Sequence, residues 1–144
     1  MISSNKSKGF TLVELLIVIV VIAILAAISI VAYNGVTNKA RDDERASNAR
    51  NLLNAAAAYN SDNDKWPELS DLAAFETIKL PTTVTDATKV NATVDAGKDT
   101  YKYRLCKDSG FTTNKAEATG VEVQYLKEAD PDKGVKTIKT GKCS

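Results

Sequence analysis

Residues 8–32 read KGFTLVELLIVIVVIAILAAISIVA, and this stretch decides how the rest of the chain is interpreted. From Phe10 to Ala32 only Thr11, Glu14 and Ser29 are polar, and these 23 residues make about 35 Å of helix. A helix of that length can cross the hydrocarbon core of a bilayer. The stretch therefore predicts a membrane-spanning helix, and the polar sequence after it predicts a small exported domain.

A short basic leader precedes the apolar run. Lys6 and Lys8 predict that this leader stays in the cytoplasm, by the positive-inside rule, while the rest of the chain lies across the membrane. The apolar run is too long for an ordinary secretory signal, and no convincing small-residue cleavage site follows it. Gly9 lies between the leader and the run, where a small residue gives a protease access at the membrane surface.

Glu14 is the one charged residue of the apolar run, five positions after Gly9. A carboxylate inside a membrane costs roughly 2.5–3.5 kcal/mol on insertion scales, so such a residue usually has a partner or a function. A cut after Gly9 would give Phe10 an ammonium group, which could neutralise Glu14 of its own chain or of a neighbour. The alternative is that Glu14 lies near the interface and is solvated there.

The string from Lys8 to Leu16 resembles the class III signal of type IV pilins and related pseudopilins. The resemblance implies that a prepilin peptidase cuts between Gly9 and Phe10 and N-methylates Phe10. It also implies that Glu14 is needed for ordered addition of subunits to a filament. A second string, from Tyr59 to Pro67, resembles the Tyr-x-x-Asp-Asn-x-x-aromatic-Pro signature at the turn that leaves the long helix of this family.

The helix is predicted to continue beyond the membrane, from Phe10 to about Asn60, because no proline occurs before Pro67. Gly35 is its predicted weak point, where the helix kinks or melts when subunits pack. One arc of the second half carries the apolar residues Ala46, Ala49, Leu52, Leu53, Ala56 and Tyr59. The charged residues Arg41, Asp42, Asp43, Glu44, Arg45 and Arg50 are expected to make the same stretch compatible with water.

Beyond the helix, alternating apolar residues predict strands over Thr100–Cys106, Val121–Leu126 and Val135–Thr140. A short helix is expected from Glu68 to Phe75, and residues 80–99 are expected to form a surface loop with at most one short strand. The predicted fold class is α+β and pilin-like: the long N-terminal helix packs by its second half on a small antiparallel sheet of about three strands.

Four regions follow from this interpretation. Residues 1–9 form a cleaved leader, 10–33 a transmembrane and filament-core helix, and 34–60 the amphipathic second half of that helix. Residues 61–144 form a globular region with a loop, an antiparallel meander and a C-terminal disulfide loop.

The chain has two cysteines, Cys106 and Cys143, and no histidine. An even pair in an exported domain predicts a disulfide, whereas two unpaired thiols would suit a cytosolic protein. The resemblance implies that the bond closes a C-terminal loop, as in many pilins. Without histidine, serine–histidine and cysteine–histidine catalysis are excluded, and two cysteines alone do not form a structural zinc site. The chain is therefore not expected to be an enzyme or to need a cofactor.

Acidic turns are weak candidates for calcium binding. Asp130 and Asp132, together with Glu128, are candidate calcium ligands near the C-terminus, and Asp62 and Asp64 are a second pair. Calcium needs a cage of about 6–8 oxygens, so solvated acidic turns are the favoured interpretation at both places.

The charge balance argues against a nucleic-acid binder. Removing residues 1–9 takes two lysines from 19 basic residues and leaves 17 against 18 acidic ones, a net charge of −1. Lysines are frequent near the C-terminus, where they could touch DNA phosphates, but protection of a strand edge is favoured. They are Lys127, Lys133, Lys136, Lys139 and Lys142. No specific nucleic-acid partner is predicted.

These features together predict a structural subunit of a type IV pilus-like filament. Its expected partners are other pilin copies, in a homopolymer or a mixed filament, the prepilin peptidase and an inner-membrane assembly platform. It would first span the bacterial cytoplasmic membrane once and then enter a cell-surface or periplasmic filament. The alternatives are a type II secretion pseudopilin and a membrane-anchored binding domain that never polymerises.

Overall fold

The computed structural model describes residues 8–90, 94, 100–129 and 133–143. Its elements are α1 (Leu12–Asn63), α2 (Leu69–Ala73), α3 (Thr82–Thr85), β1 (Tyr101–Lys107), β2 (Gly110–Thr112), a 3₁₀ turn (Lys115–Glu117), β3 (Gly120–Lys127) and β4 (Gly134–Gly141). The chain divides into two compact units, Met1–Thr37 and Asn38–Ser144, and α1 contributes to both.

The long helix α1 is present, with ends that differ slightly from the prediction. It begins at Leu12 rather than Phe10, because Thr11 caps it. It ends at Asn63 rather than about Asn60, where the Asp64 amide donates to the Asn60 carbonyl at 2.8 Å and Asp64 takes a positive φ of 53°. The helix runs through Gly35 without interruption, and melting there in a filament stays a prediction.

The core of the second unit forms between α1 and the sheet, as the apolar arc predicted. Ala49, Leu52 and Ala56 of α1 are fully buried, and Tyr59 packs against the edge of this core. The short helices and the sheet supply the rest of the cluster: Leu69, Leu72, Val84, Val90, Tyr101, Tyr103, Leu105, Val121, Val123 and Tyr125. Because the buried part of α1 is rich in alanine, its backbone can lie close to the strands.

Two charged residues of α1 contradict the expectation that they face water. Asp42 and Arg45 are only 3% and 2% exposed, whereas Asp43 and Glu44 are exposed as predicted. The physical reason is helical spacing. Positions 42 and 45 precede Ala46 and Ala49 on the same arc, so they face the sheet side and must find polar partners there.

The sheet is antiparallel with strand order β2-β1-β3-β4. The three predicted strands are all present, with bounds within about a residue of those expected. Tyr101, Tyr103 and Leu105 of β1 point into the core, as their alternation predicted. The sheet has four strands rather than three, because β2 folds back on β1 directly after the Asp108-Ser109 turn.

The segment expected to be a loop over residues 80–99 contains a short helix, α3, which was not predicted. Val84 of α3 is fully buried and anchors this turn to the core. Val90 then makes an isolated parallel bridge with Tyr101. The helix expected from Glu68 to Phe75 is confirmed in shortened form as α2, with a capping box between Glu68 and Asp71.

The predicted disulfide between Cys106 and Cys143 is present, with a Cα–Cα distance of 5.4 Å. This distance is in the usual range for such bonds. Cys106 lies in β1, and Cys143 lies two residues after the end of β4. The bond therefore connects the first strand of the sheet to the segment that follows its last strand. Closing a loop of this length is expected to contribute on the order of 3–4 kcal/mol by the chain-entropy model.

Candidate processing and assembly site

Thr11 and Glu14 bind each other at the start of α1. The Thr11 amide donates to Glu14 Oε2 at 2.8 Å, and the Glu14 amide donates to Thr11 Oγ1 at 3.2 Å. This reciprocal pair is a capping box, which satisfies two of the amides that a helix start leaves without partners. It fixes the beginning of α1 at Leu12 and occupies one oxygen of Glu14 in the uncut chain.

The predicted cleavage bond between Gly9 and Phe10 lies just outside this helix. Phe10 is 91% exposed, and no described atom comes within 4 Å of the place where a Cβ on Gly9 would be. Neither residue belongs to a helix or a strand. The bond therefore has the open, non-helical surroundings that a protease needs. Cleavage there and methylation of Phe10 stay predictions.

The first half of α1 is apolar around its whole circumference. Its large apolar side chains from Leu12 to Val36 are 48–86% exposed. It is the one helix in the described part of the chain that is long and apolar enough to cross a membrane. A helix that is apolar on all sides must be buried in lipid or among other helices. No other described residue of this unit covers it.

Two hydroxyl groups of this part of α1 bond to the backbone of the helix itself. Ser29 Oγ donates to the Leu25 carbonyl at 2.7 Å, and Thr37 Oγ1 donates to the Tyr33 carbonyl at 2.9 Å. Both are bonds to the preceding helical turn, which let a hydroxyl enter an apolar environment. Glu14 is the only charged residue between Leu12 and Val36.

A second polar cluster, the Asp42 cluster, consists of Asp42, Arg45 and Glu128 in the second unit. Arg45 Nη1 lies 3.3 Å from Asp42 Oδ1 and 3.1 Å from Glu128 Oε2. The two Asp42 oxygens also accept the backbone amides of Glu128 and Ala129, each at 2.8 Å. The cluster therefore ties the end of β3 to α1. The cluster was not predicted. The sequence feature that could have indicated it is helical spacing, which places positions 42 and 45 on the same side of α1 as the buried alanines.

Glu122 forms a third polar cluster, on the face of the sheet opposite the core. Its side chain is 4% exposed and pairs with Arg104 and with Lys139, the latter at 3.6 Å. Arg104 also stacks on the Phe111 ring at 3.6 Å from the ring centroid. These neighbours cover the Glu122 carboxylate, although Arg104 and Lys139 themselves remain partly exposed.

The calcium candidates give no metal centre in the described part of the chain. Asp130 and Asp132 lie outside the described residues, and Glu128 is paired with Arg45. Asp62 lies in the last turn of α1 and Asp64 directly after the helix, and both are exposed. Among the described residues, no group of three acidic, cysteine or histidine side chains is arranged to hold a metal ion.

The segment that contains the candidate site matches a known family model. Residues 4–30 match the family model described as the prokaryotic N-terminal methylation motif. The N-terminal segment thus has the class III signal of type IV pilins, as its residues predicted. No solved structure is significantly similar to the chain.

Several curated relatives are pilins or fimbrial proteins. The chain is 43% identical over 65 residues to the type IV major pilin protein PilE1 of Neisseria gonorrhoeae, which covers 45% of this chain and 39% of that protein. It is 43% identical over 60 residues to the fimbrial protein EcpC of Eikenella corrodens, covering 42% and 39%. The type IV major pilin protein PilA of Myxococcus xanthus is 31% identical over 70 residues, covering 49% and 32%. The match thus spans about two fifths of the length of the first of these relatives.

Proposed function

We propose that this chain is a structural subunit of a type IV pilus-like filament. In this proposal a prepilin peptidase cuts it after Gly9 and methylates Phe10, and the subunits polymerise through their N-terminal helices. The observation that carries the proposal is the first half of α1, which is apolar on all sides and has one carboxylate near its start. The methylation-motif match and the pilin relatives support it.

The apolar half-helix suits two environments in turn. In the bacterial cytoplasmic membrane it is the single anchor, with the basic leader on the cytoplasmic side. In a filament at the cell surface or in the periplasm it packs against copies of itself. At about 25 cal/mol per Å² of apolar area kept from water, this burial is the main cohesive term of the filament.

Apolar packing alone does not fix the axial position of one helix relative to its neighbour, and Glu14 supplies a polar contact that can. In the uncut chain its carboxylate accepts the Thr11 amide. Cleavage creates an ammonium on Phe10, and a carboxylate in an apolar bundle is strongly stabilised by a cationic partner. We therefore assign Glu14 to pairing with Phe10 of a neighbouring subunit, which sets the axial register. An inner-membrane assembly platform is the expected partner for this step.

The test compares Glu14→Ala with Glu44→Ala, an exposed glutamate of the same helix beyond the apolar part. Filaments are collected by shearing and examined by electron microscopy, and mature chains are analysed by mass spectrometry. We expect both variants to reach the membrane and only Glu14→Ala to lose filaments. Normal filaments in Glu14→Ala would remove the assembly role of Glu14.

The same samples test the other parts of the proposal. A mature chain that begins anywhere other than at an N-methylated Phe10 contradicts the cleavage and methylation assignment. If the chain without substitutions is processed correctly but forms no filament, it is a membrane-anchored domain that does not polymerise. Short filaments confined to the periplasm indicate the type II secretion pseudopilin.

A further inference from the structure

Asn34 and Gly35 form an asparagine–glycine pair in an exposed part of α1. Both residues are exposed, and the side chains of Tyr33 and Val36 on either side of the pair are 73% and 70% exposed. The first buried residue of α1 is Asp42, about two helical turns further on. At this pair α1 is therefore stabilised by its own backbone hydrogen bonds rather than by burial.

No packing contact within the described chain requires a glycine at this position. A Cβ on Gly35 would have no described atom within 4 Å, so a side chain would fit there. Gly35 also has none of the positive φ angles that favour glycine elsewhere in the chain. Because glycine lowers the stability of a helix interior relative to alanine, Gly35 weakens α1 at this point.

Two further features weaken the helix around the pair. Thr37 Oγ1 donates to the Tyr33 carbonyl at 2.9 Å, a bond to the preceding turn that slightly destabilises and often bends helices. The boundary between the two compact units falls directly after Thr37. Segments with few buried contacts open locally at a lower free energy than the core of the same protein. We therefore expect α1 to open more readily here than in its buried half.

An asparagine that precedes a glycine can lose ammonia by an intramolecular reaction. The glycine nitrogen attacks Cγ of the asparagine, so a new C–N bond closes a succinimide ring. The Cγ–Nδ2 bond breaks, and ammonia leaves with the proton of the backbone amide. Water then adds to one of the two ring carbonyl carbons and opens the ring, which gives aspartate or isoaspartate. Glycine favours the attack because it has no side chain that hinders the approach of its nitrogen.

The helical conformation holds this reaction back. In an α-helix the Gly35 amide donates to the Val31 carbonyl, so its nitrogen is not free to attack. The Asn34 carboxamide is exposed and bonds to no described residue. The pair lies just beyond the apolar run that ends at Ala32, so water can reach it. We propose that Asn34 is a site of spontaneous deamidation, which reacts when α1 opens at Gly35.

One of the two products makes the opening permanent. Isoaspartate continues the chain through its side-chain carbon, which adds a methylene group to the backbone and prevents regular helical hydrogen bonds at this position. It therefore breaks α1 between the apolar half and the half that packs on the sheet. Both products also add a negative charge to a chain whose net charge is +1. This inference concerns a single chain and does not depend on the proposed function.

The test incubates the full chain in detergent micelles at mildly alkaline pH. Mass spectrometry, with fragmentation that separates aspartate from isoaspartate, follows position 34. A free peptide, acetyl-Ala-Tyr-Asn-Gly-Val-amide, gives the rate of the reaction without a helix. Asn51 and Asn54 are internal controls, because they are exposed on the same helix but are followed by the buried Leu52 and Ala55. We expect product at position 34, formed more slowly than in the peptide, and none at the two controls.

Two variants test whether the helix controls the reaction. Ala32→Gly weakens the helix beside an unchanged pair and should raise the rate about fivefold. Gly35→Ala stabilises the helix and hinders the attack, so it should lower the rate at least about fivefold. No product at position 34 after about ten half-lives of the free peptide overturns the proposal. A rate equal to that of the peptide, or one that Ala32→Gly leaves unchanged, also overturns it, because the helix would then not control the reaction.

Discussion

At the scale of single residues, the Asp42 cluster shows how one carboxylate can hold two elements together. Asp42 accepts two successive backbone amides after β3 and also faces the Arg45 guanidinium. Each of its oxygens is engaged, and Glu128 provides the second carboxylate for Arg45. Removing Asp42 would take the acceptor away from two partly buried amides and leave a buried guanidinium with one anionic partner fewer.

We therefore predict that Asp42→Ala lowers the free energy of unfolding of the second unit by about 3–5 kcal/mol, the range for breaking a buried ion pair. The matched control is Asp43→Ala, because Asp43 is its exposed neighbour on the same helix. That control should stay within about 0.5 kcal/mol of the unchanged chain. Chemical denaturation of the full chain in detergent, followed by the circular dichroism of the sheet, measures both. Equal effects of the two variants would show that the Asp42 cluster contributes little.

Residue roles were predictable from the sequence where a local pattern carries the chemistry. Cys106 and Cys143 are the only cysteines, and their predicted disulfide is present, whereas the assembly role inferred for Glu14 from its place in an apolar run stays a prediction. Asp42 has no such pattern, because its partners are backbone amides 86 and 87 positions further along the chain. Such partners depend on tertiary packing, so composition and spacing do not reveal them.

At the scale of elements, the sequence predicted those strands that are long enough to show alternating buried and exposed positions. Strands β1 and β3 alternate and pair over six consecutive positions, so each has a clear apolar face. Strand β2 has three residues and helix α3 has four, which is too short for any period to be visible. Both are held by their neighbours, β2 by pairing with β1 and α3 by the buried Val84.

Gly120, the first residue of β3, is where the disulfide and two strands come closest. A Cβ at this position would lie 2.9 Å from Cys143 Sγ and 3.1 Å from Cys106 Sγ, and it would also contact the Thr140 carbonyl oxygen. The absence of a side chain therefore lets the disulfide pack across the start of β3. No sequence pattern indicated this role, since Gly120 resembles an ordinary turn residue.

We predict that Gly120→Ala destabilises the second unit by about 1–3 kcal/mol, as other overpacked sites do. It should also increase the fraction of chains whose cysteines can be alkylated. Denaturation and mass spectrometry after alkylation measure the two effects. In a Cys106→Ser, Cys143→Ser background the penalty should be smaller but not absent, because the Thr140 carbonyl contact remains. An unchanged stability in both backgrounds would contradict the close packing.

At the scale of the whole molecule, the two units place different demands on their surroundings. The second unit has its own core, disulfide and buried ion pairs, so it can be stable in water. The first unit has large apolar side chains that are 48–91% exposed from Phe10 to Val36, and none of its described residues belongs to the buried core. It requires a bilayer or an assembly. The full chain has a net charge of +1, and the proposed cleavage would change it to −1, so copies would repel one another only weakly in either form.

This division predicts how the proposed filament responds to solvent. At about 1 M salt the Debye length falls to roughly 3 Å, so exposed ion pairs are screened while apolar burial is retained. We expect filaments to persist in high salt and to dissociate in detergent. Detergent molecules would take the place of the contacts between apolar helices over residues 10–36 of neighbouring subunits. Sedimentation of sheared filaments in each condition measures this. Dissociation in salt but not in detergent would show that contacts between the second units, rather than the apolar helices, hold the filament together.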